Sequence, residues 1–320
     1  MNKTAFMFAL ILALLTGGRA ASSGAALSAV QKTQKPARSA APQRRVPVPR
    51  SVWFRQVAGR GLLIRTWVNG AGPFSFAVDT GAGATLLSPR VADEAGVRIK
   101  DGRVTSIAGL SGRGVAAHEA SLQTLAIGDS ENYLPARGEV IVTSGLPADL
   151  DGVLDPTEAF SPLGYVIDLP RGQLSAFDPN KDPLLTSQQP EEGAVVQWLR
   201  EAHGRRPFVM LDSGEHALLD TGSSLGFAIK ENGRNNDEKL SGYVVRDVGG
   251  GRISARRVAP ATIAIGSLTL RRIPTDVISG ADADAPVLLG LGALRPFRLR
   301  FDPLHRLIEI APVIDSQRRQ

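Results

Sequence analysis

The chain has 320 residues, 37 Lys+Arg against 31 Asp+Glu, a formal charge of +6 and 43% hydrophobic content. That is enough apolar material for a packed core, and the length allows two domains of ordinary size. The absence of cysteine excludes a disulfide framework, thiolate metal sites, iron–sulfur clusters and a cysteine nucleophile. The positive balance is local: residues 1–50 hold eight basic and no acidic side chains, leaving 29 basic against 31 acidic residues beyond them. A near-neutral body offers no footprint for a polyanion, so no nucleic-acid partner is expected.

Residues 1–20 read as a signal peptide. Lys3 supplies the positive start, Ala5–Leu15 the apolar stretch, and Ala20–Ser23 a small-residue cleavage zone. Eleven apolar residues are too few to span a bilayer comfortably. A periplasmic or secreted protein is therefore expected, anchored to the membrane if the segment stays uncleaved. Residues 21–50 are basic, rich in Ala and Pro and free of aromatic residues. Such a segment cannot offset its ordering entropy and is expected to be a disordered linker, able at most to touch membrane or cell wall weakly.

An internal repeat organises the rest. FAVDTGAGATLLS (76–88) and ALLDTGSSLGFAI (217–229) each place Asp-Thr-Gly after an apolar strand-like run. Asp79 and Asp220 lie 141 positions apart. Each triplet follows a hairpin-like segment with Asn69-Gly70 or Ser213-Gly214 as its turn. Each is followed by an apolar segment ending in Ile-Gly (121–129 and 260–268), then an apolar run with a short helix-like stretch (151–160 and 286–294). Two strands around a turn close each half (165–178 and 297–310). Period-2 alternation predicts strands nearly throughout. The expected division is a first lobe over 51–178, a connector over 179–193, a second lobe over 194–314 and a tail over 315–320.

VDTGAG, LDTGSS and Leu288-Leu289-Gly290 give about 260 residues a resemblance to the pepsin/retropepsin clan of aspartic peptidases. The likeness is to bacterial exported retropepsin-like proteins, with two copies in tandem. It implies a mainly β, bilobal fold, its two β-barrel lobes related by a pseudo-two-fold axis. It implies an endopeptidase in which Asp79 and Asp220 share one site. Thr80 and Thr221 would lock the two loops by hydrogen bonds, and Gly81 and Gly222 would let them approach. The implied partner is a protein or peptide substrate. No cofactor or metal is called for, and a monomer suffices because both triplets lie in one chain.

The chemistry fits these residues in its own right. Peptide hydrolysis needs a base to activate water and an acid to protonate the carbonyl. Two adjoining carboxyls share a proton and can serve as both; aspartic proteases are the standard worked example of this pairing. Ser223 in the second triplet loop, against Ala82 in the first, suggests a hydroxyl that donates to Asp220. Asp220 would then carry the charge and Asp79 the proton.

A covering flap is expected at 106–114, with Ile107 near its tip and Gly109 and Gly112 making the tip mobile; 247–254 is its counterpart. Asp155 stands where the resemblance expects glycine. It reads as a helix cap, with Pro156 and Glu158 in matching positions, or as a third carboxylate under the pair that could disable the site. The helix-start signals favour the cap.

Two other readings compete. One is a duplicated β module that binds peptides without cutting them. The other is a serine hydrolase built on Gly222-Ser223-Ser224-Leu225-Gly226, with Ser224 as nucleophile and Asp302 and His305 as partners. His118, His203, His216 and His305 show no metal-ligand spacing. Trp53, Trp67 and Trp198 read as core residues.

Overall fold

The computed structural model describes residues 7–8, 46–135, 138–199, 204–231 and 242–313. The expected signal segment 1–20 lies outside the described residues except for Met7–Phe8, a two-residue strand parallel to Tyr243–Arg246. The tail 315–320, His203 and most of 21–50 also lie outside them. The last five linker residues belong instead to the body. Pro49 is buried, the Arg50 N–H donates to Asn132 Oδ1 at 2.8 Å, and the Arg50 guanidinium pairs with Asp129.

Strands dominate, and the sequence periodicity explains them. Over Gly61–Val68, Leu62, Ile64, Thr66 and Val68 point inward while the residues between them are more exposed. That is the two-residue repeat of a pleated strand. Asn69 and Gly70 both take positive φ (49° and 84°), which lets the chain reverse in two residues into Ala71–Val78.

Two large sheets share a plan. In the nine-stranded sheet, Ala71–Val78 pairs in parallel with Gly152–Leu154, which runs antiparallel to Leu86–Leu87. Leu86–Leu87 is parallel to Glu139–Thr143, which is antiparallel to Gly114–Ser121 and through it reaches Arg98–Ala108. In the eight-stranded sheet the same order and the same senses recur. His216–Asp220 is parallel to Val287–Gly290, then come Phe227–Lys230, Leu268–Ser279, Arg252–Ile265 and Tyr243–Arg246.

The closing hairpins do not stay within separate halves. They form a third, six-stranded sheet in the order Ala194–Gln197, Leu307–Pro312, Phe297–Asp302, Gly164–Asp168, Gln173–Phe177, Val52–Trp53. Tyr165 faces Phe301 across the join, with ring centroids 4.6 Å apart, and Trp198 meets Phe301 edge-on at 5.9 Å. The expected boundary between 51–178 and 194–314 therefore runs through a shared sheet. Among the tryptophans, Trp198 is core and Trp67 is half-buried under the Arg65 guanidinium, but Trp53 is 71% exposed. Val52 takes the inward position of that short edge strand, so alternation turns its neighbour Trp53 outward.

Phe301 is fully buried between Tyr165 and Trp198. Phe301→Ala is expected to cost about 3–5 kcal/mol, by lost transfer energy plus a cavity that the joined strands cannot collapse. Urea unfolding measures it; a loss under about 1 kcal/mol would show that this sheet does not hold the halves together.

Candidate active site

Asp79 follows directly on Ala71–Val78, and Asp220 is the last residue of His216–Asp220. In each case the strand lies beside a parallel partner. Asp79 N–H donates to Leu154 O at 3.0 Å, and Asp220 stands in register with Gly290. Both aspartates are completely buried.

The threonines hold the two loops together reciprocally. Thr80 N–H donates to Thr221 Oγ1 (3.1 Å), and Thr221 N–H donates to Thr80 Oγ1 (3.0 Å). Thr80 Oγ1 donates to Leu219 O (2.6 Å), and Thr221 Oγ1 donates to Val78 O (3.1 Å). Each hydroxyl thus accepts from one backbone and donates to another, leaving no buried polar group of this knot unpaired. Gly81 and Gly222 lie against the opposite carboxyl. A Cβ on Gly81 would come within 2.9 Å of Asp220 Cγ, and one on Gly222 would fall on the Asp79 carboxyl. Only glycine permits that approach.

The two carboxyls are bonded unequally. Asp79 Oδ1 accepts the Gly81 N–H (2.7 Å). Asp220 Oδ1 accepts two N–H groups, from Gly222 (2.8 Å) and Ser223 (3.0 Å). The Ser223 hydroxyl does not serve Asp220, as the sequence had suggested; its oxygen accepts the Leu225 N–H at 3.3 Å. The backbone of Ser223 makes the asymmetry instead. Asp79 Oδ2 and Asp220 Oδ2 are buried with no protein donor. Burial, first, and the neighbouring Asp220 charge, second, hold Asp79 well above the usual carboxylate range. Burial pushes Asp220 up to about 6, against the opposing bonds from Asp79, Gly222 and Ser223. Both shifts and the unequal backbone bonds favour the proton on Asp79 over Asp220.

Asp155 is both things that the sequence allowed. Its Oδ1 accepts the Thr157 N–H (2.9 Å), capping the helix Pro156–Ala159. Leu154 pairs with Val78, so the next residue along each strand brings Asp155 beside Asp79. Burial, then the Glu158 charge, pushes it up to about 7.

The candidate flap 106–114 forms the tip between Arg98–Ala108 and Gly114–Ser121. Ile107 is fully buried in an apolar cluster with Ala82 and Ala84. Gly109 and Gly112 serve close packing rather than a free tip. A Cβ on Gly109 would meet Asp247 at 2.5 Å, and one on Gly112 would strike Asp282. Ser111 N–H donates to Asp247 Oδ2 (2.7 Å), and Asp282 N–H donates to Leu110 O (2.8 Å). Leu110 belongs to the apolar cluster of Leu218, Leu225 and Leu288, while Val248 of the opposite tip belongs to that of Ala77, Ala82 and Val153. Leu110, Asp247 and Val248 lie within the two hairpins that the sequence picked out, but their contacts across the halves carry no local sequence pattern. A cavity of about 590 Å³ opens beside the second tip, walled by Leu146, Asp149, Arg246, Asp247 and Gly249; Asp79 and Asp220 do not line it.

The serine triad does not assemble. Ser224 Oγ is buried without a partner. His305 Nδ1 bonds Asp302 (2.8 Å), whose oxygens also accept the His305 and Leu184 N–H groups. That pair fixes a turn.

Residues 64–153 match the family model for aspartyl proteases. No curated protein matches the chain. The matched segment contains Asp79, Thr80, Gly81 and the 106–114 hairpin, and it supports a protease-type function.

Two predictions follow from this geometry. Ser223→Ala keeps the backbone N–H on Asp220, so in any pH-dependent readout of the pair it is expected to match the parent; a shifted acidic limb would restore the hydroxyl to a role. The second concerns stability. Asp79, Asp220 and Asp155 all hold protons more tightly folded than unfolded. Their contribution is complete below about pH 4 and is lost as pH rises through about 6 for Asp220 and about 7 for Asp155. Chemical denaturation at pH 5 and pH 8 is expected to show Asp155→Asn gaining stability relative to the parent at pH 8 more than at pH 5. An equal difference at both values would contradict the shift.

Proposed function

We propose that the chain is an aspartic endopeptidase of retropepsin type, its two matching sheets forming lobes about a pseudo-two-fold axis. The observation that carries this reading is the buried Asp79–Asp220 pair held by reciprocal Thr80–Thr221 bonds. Asp220, ionised, takes a proton from water as the water oxygen attacks the substrate carbonyl carbon. Asp79 gives its proton to the carbonyl oxygen, producing a neutral gem-diol. Asp220 then passes its proton to the amide nitrogen as the C–N bond breaks, and Asp79 recovers one from the diol. Each carboxyl ends as it began. The Oδ2 atoms accept no bond from the protein and are the atoms that would meet water and substrate once the site opens. No metal or cofactor enters this route.

Substrate entry requires the site to open, because both aspartates are fully buried, and the two hairpin tips, docked on each other, are the segments proposed to lift. The protein substrate, the export route implied by 1–20 and action as a monomer complete the proposal. The test is cleavage of a broad peptide library between pH 3 and 8. Asp79→Asn and Asp220→Asn should each lower kcat/KM by about 10²–10⁴-fold or more with the fold intact. A well-folded parent that cuts nothing across that range would favour a peptide-binding module, the reading that the sealed pair and the adjoining Asp155 otherwise support.

A further inference from the structure

Besides Ser223 against Ala82, the two halves differ at the residue that register sets beside each aspartate. In the second, Gly290 stands in register beside Asp220. In the first, the corresponding neighbour of Asp79 is Asp155. Gly290 is sterically required: a Cβ there would lie 2.5 Å from Leu225 O and 2.8 Å from Ser223 O. Around Asp155 the packing uses side chains instead. Its N–H donates to Thr85 Oγ1 (3.3 Å), and the Thr85 N–H donates to Glu158 Oε2 (3.1 Å). This leaves room for a carboxyl.

We infer that Asp155 is a positioning residue of the pair, a third acid held beside Asp79 that, once charged, makes the shared proton harder to remove from Asp79. The inference rests on the peptidase reading for its consequence but not for its test. One oxygen of Asp155 is fixed by the cap on Thr157, so the carboxyl cannot swing away. The other, Oδ2, is buried with no donor to neutralise it. The ionisable groups around it are Asp79 on the adjacent strand, Glu158 on its own helix, Arg205 before Phe208–Met210 and the Tyr165 hydroxyl on Gly164–Asp168. Glu158 reinforces a negative field and Arg205 opposes it. Asp155 in turn raises Asp79. As pH passes about 7, Asp155 acquires charge and the Asp79 proton becomes harder to remove. The charge on Asp155 thus favours the protonated form of Asp79, whereas Asp220, beside glycine, has no such acid as its strand neighbour.

The test is a carboxyl ¹³C NMR titration of the full chain labelled at aspartate, with signals assigned through Asp79→Asn, Asp220→Asn and Asp155→Asn. In the parent chain, the Asp79 signal should show a second inflection at the midpoint of Asp155. In Asp155→Asn, which keeps an oxygen for the Thr157 N–H, the Asp79 midpoint should fall by about one pH unit. Asp155→Ser, also a competent cap, should do the same. In peptide cleavage, the basic limb of the kcat/KM profile should move down with it while the acidic limb stays. A parent Asp79 signal without the second inflection, or an unmoved midpoint in either variant, overturns the inference. The expected NMR coupling in a chain that cuts no peptide would sustain it and defeat the peptidase reading. Cleavage with no coupling would do the reverse.

Discussion

Everything at the centre of this molecule depends on placing two carboxyls side by side away from water. Such a placement is costly, because each charge is desolvated and each repels the other. It becomes tolerable when the pair holds one proton and when the backbone around it is fully bonded. The Thr80–Thr221 knot supplies the second condition. Four hydrogen bonds join the two loops, and every one runs between the first half of the chain and the second. Neither loop can take its shape alone. The shared six-stranded sheet adds an apolar join between the halves, with Tyr165 against Phe301.

The same exchange between halves occurs on the hairpin tips. Leu110 leaves the first half to join the second half's apolar cluster, and Val248 makes the opposite crossing. Asp247 ties the two tips through the Ser111 N–H. Burial of this kind strengthens electrostatic interactions by excluding water, and on the peptidase reading the site would have to open to be used. Such opening would expose the buried Leu110 and Val248 and break the Asp247–Ser111 bond. Access and dryness are thus opposing demands on the same few residues.

Much of this was legible in the sequence wherever the signal is local. The Asn69-Gly70 turn, the strand alternation of 61–68 and the paired Asp-Thr-Gly triplets are short-range patterns whose physics is carried within a few residues. What escaped is of longer range. The docking of Gly109 and Ser111 on Asp247 joins residues 136 or more positions apart, so glycines that read as a loose tip are in fact tightly packed. For Ser223 the bond expected of its hydroxyl is made instead by its N–H, a group that every non-proline residue carries. Trp53 looked like core by type, yet alternation on a two-residue edge strand gave the inward place to Val52. Helix-cap and third-acid readings of Asp155 looked exclusive only because sequence does not show strand register.

That register bears on why both halves occupy one chain. A site made from two copies of a single sequence would carry either an acid or a glycine beside both aspartates. Here the constraint at Gly290 is steric, set by the Leu225 and Ser223 carbonyls. The first half replaces those close backbone contacts with the Thr85 hydroxyl and the Glu158 carboxyl, and so admits Asp155. The unequal backbone bonds to Asp79 and Asp220 act in the same direction. One carboxyl is surrounded by donors that favour its charge, the other by an acid that opposes it. A pair that must divide one proton between two roles gains a fixed assignment of acid and base when its halves are free to differ, and the difference lies in the shell just outside the repeated triplets.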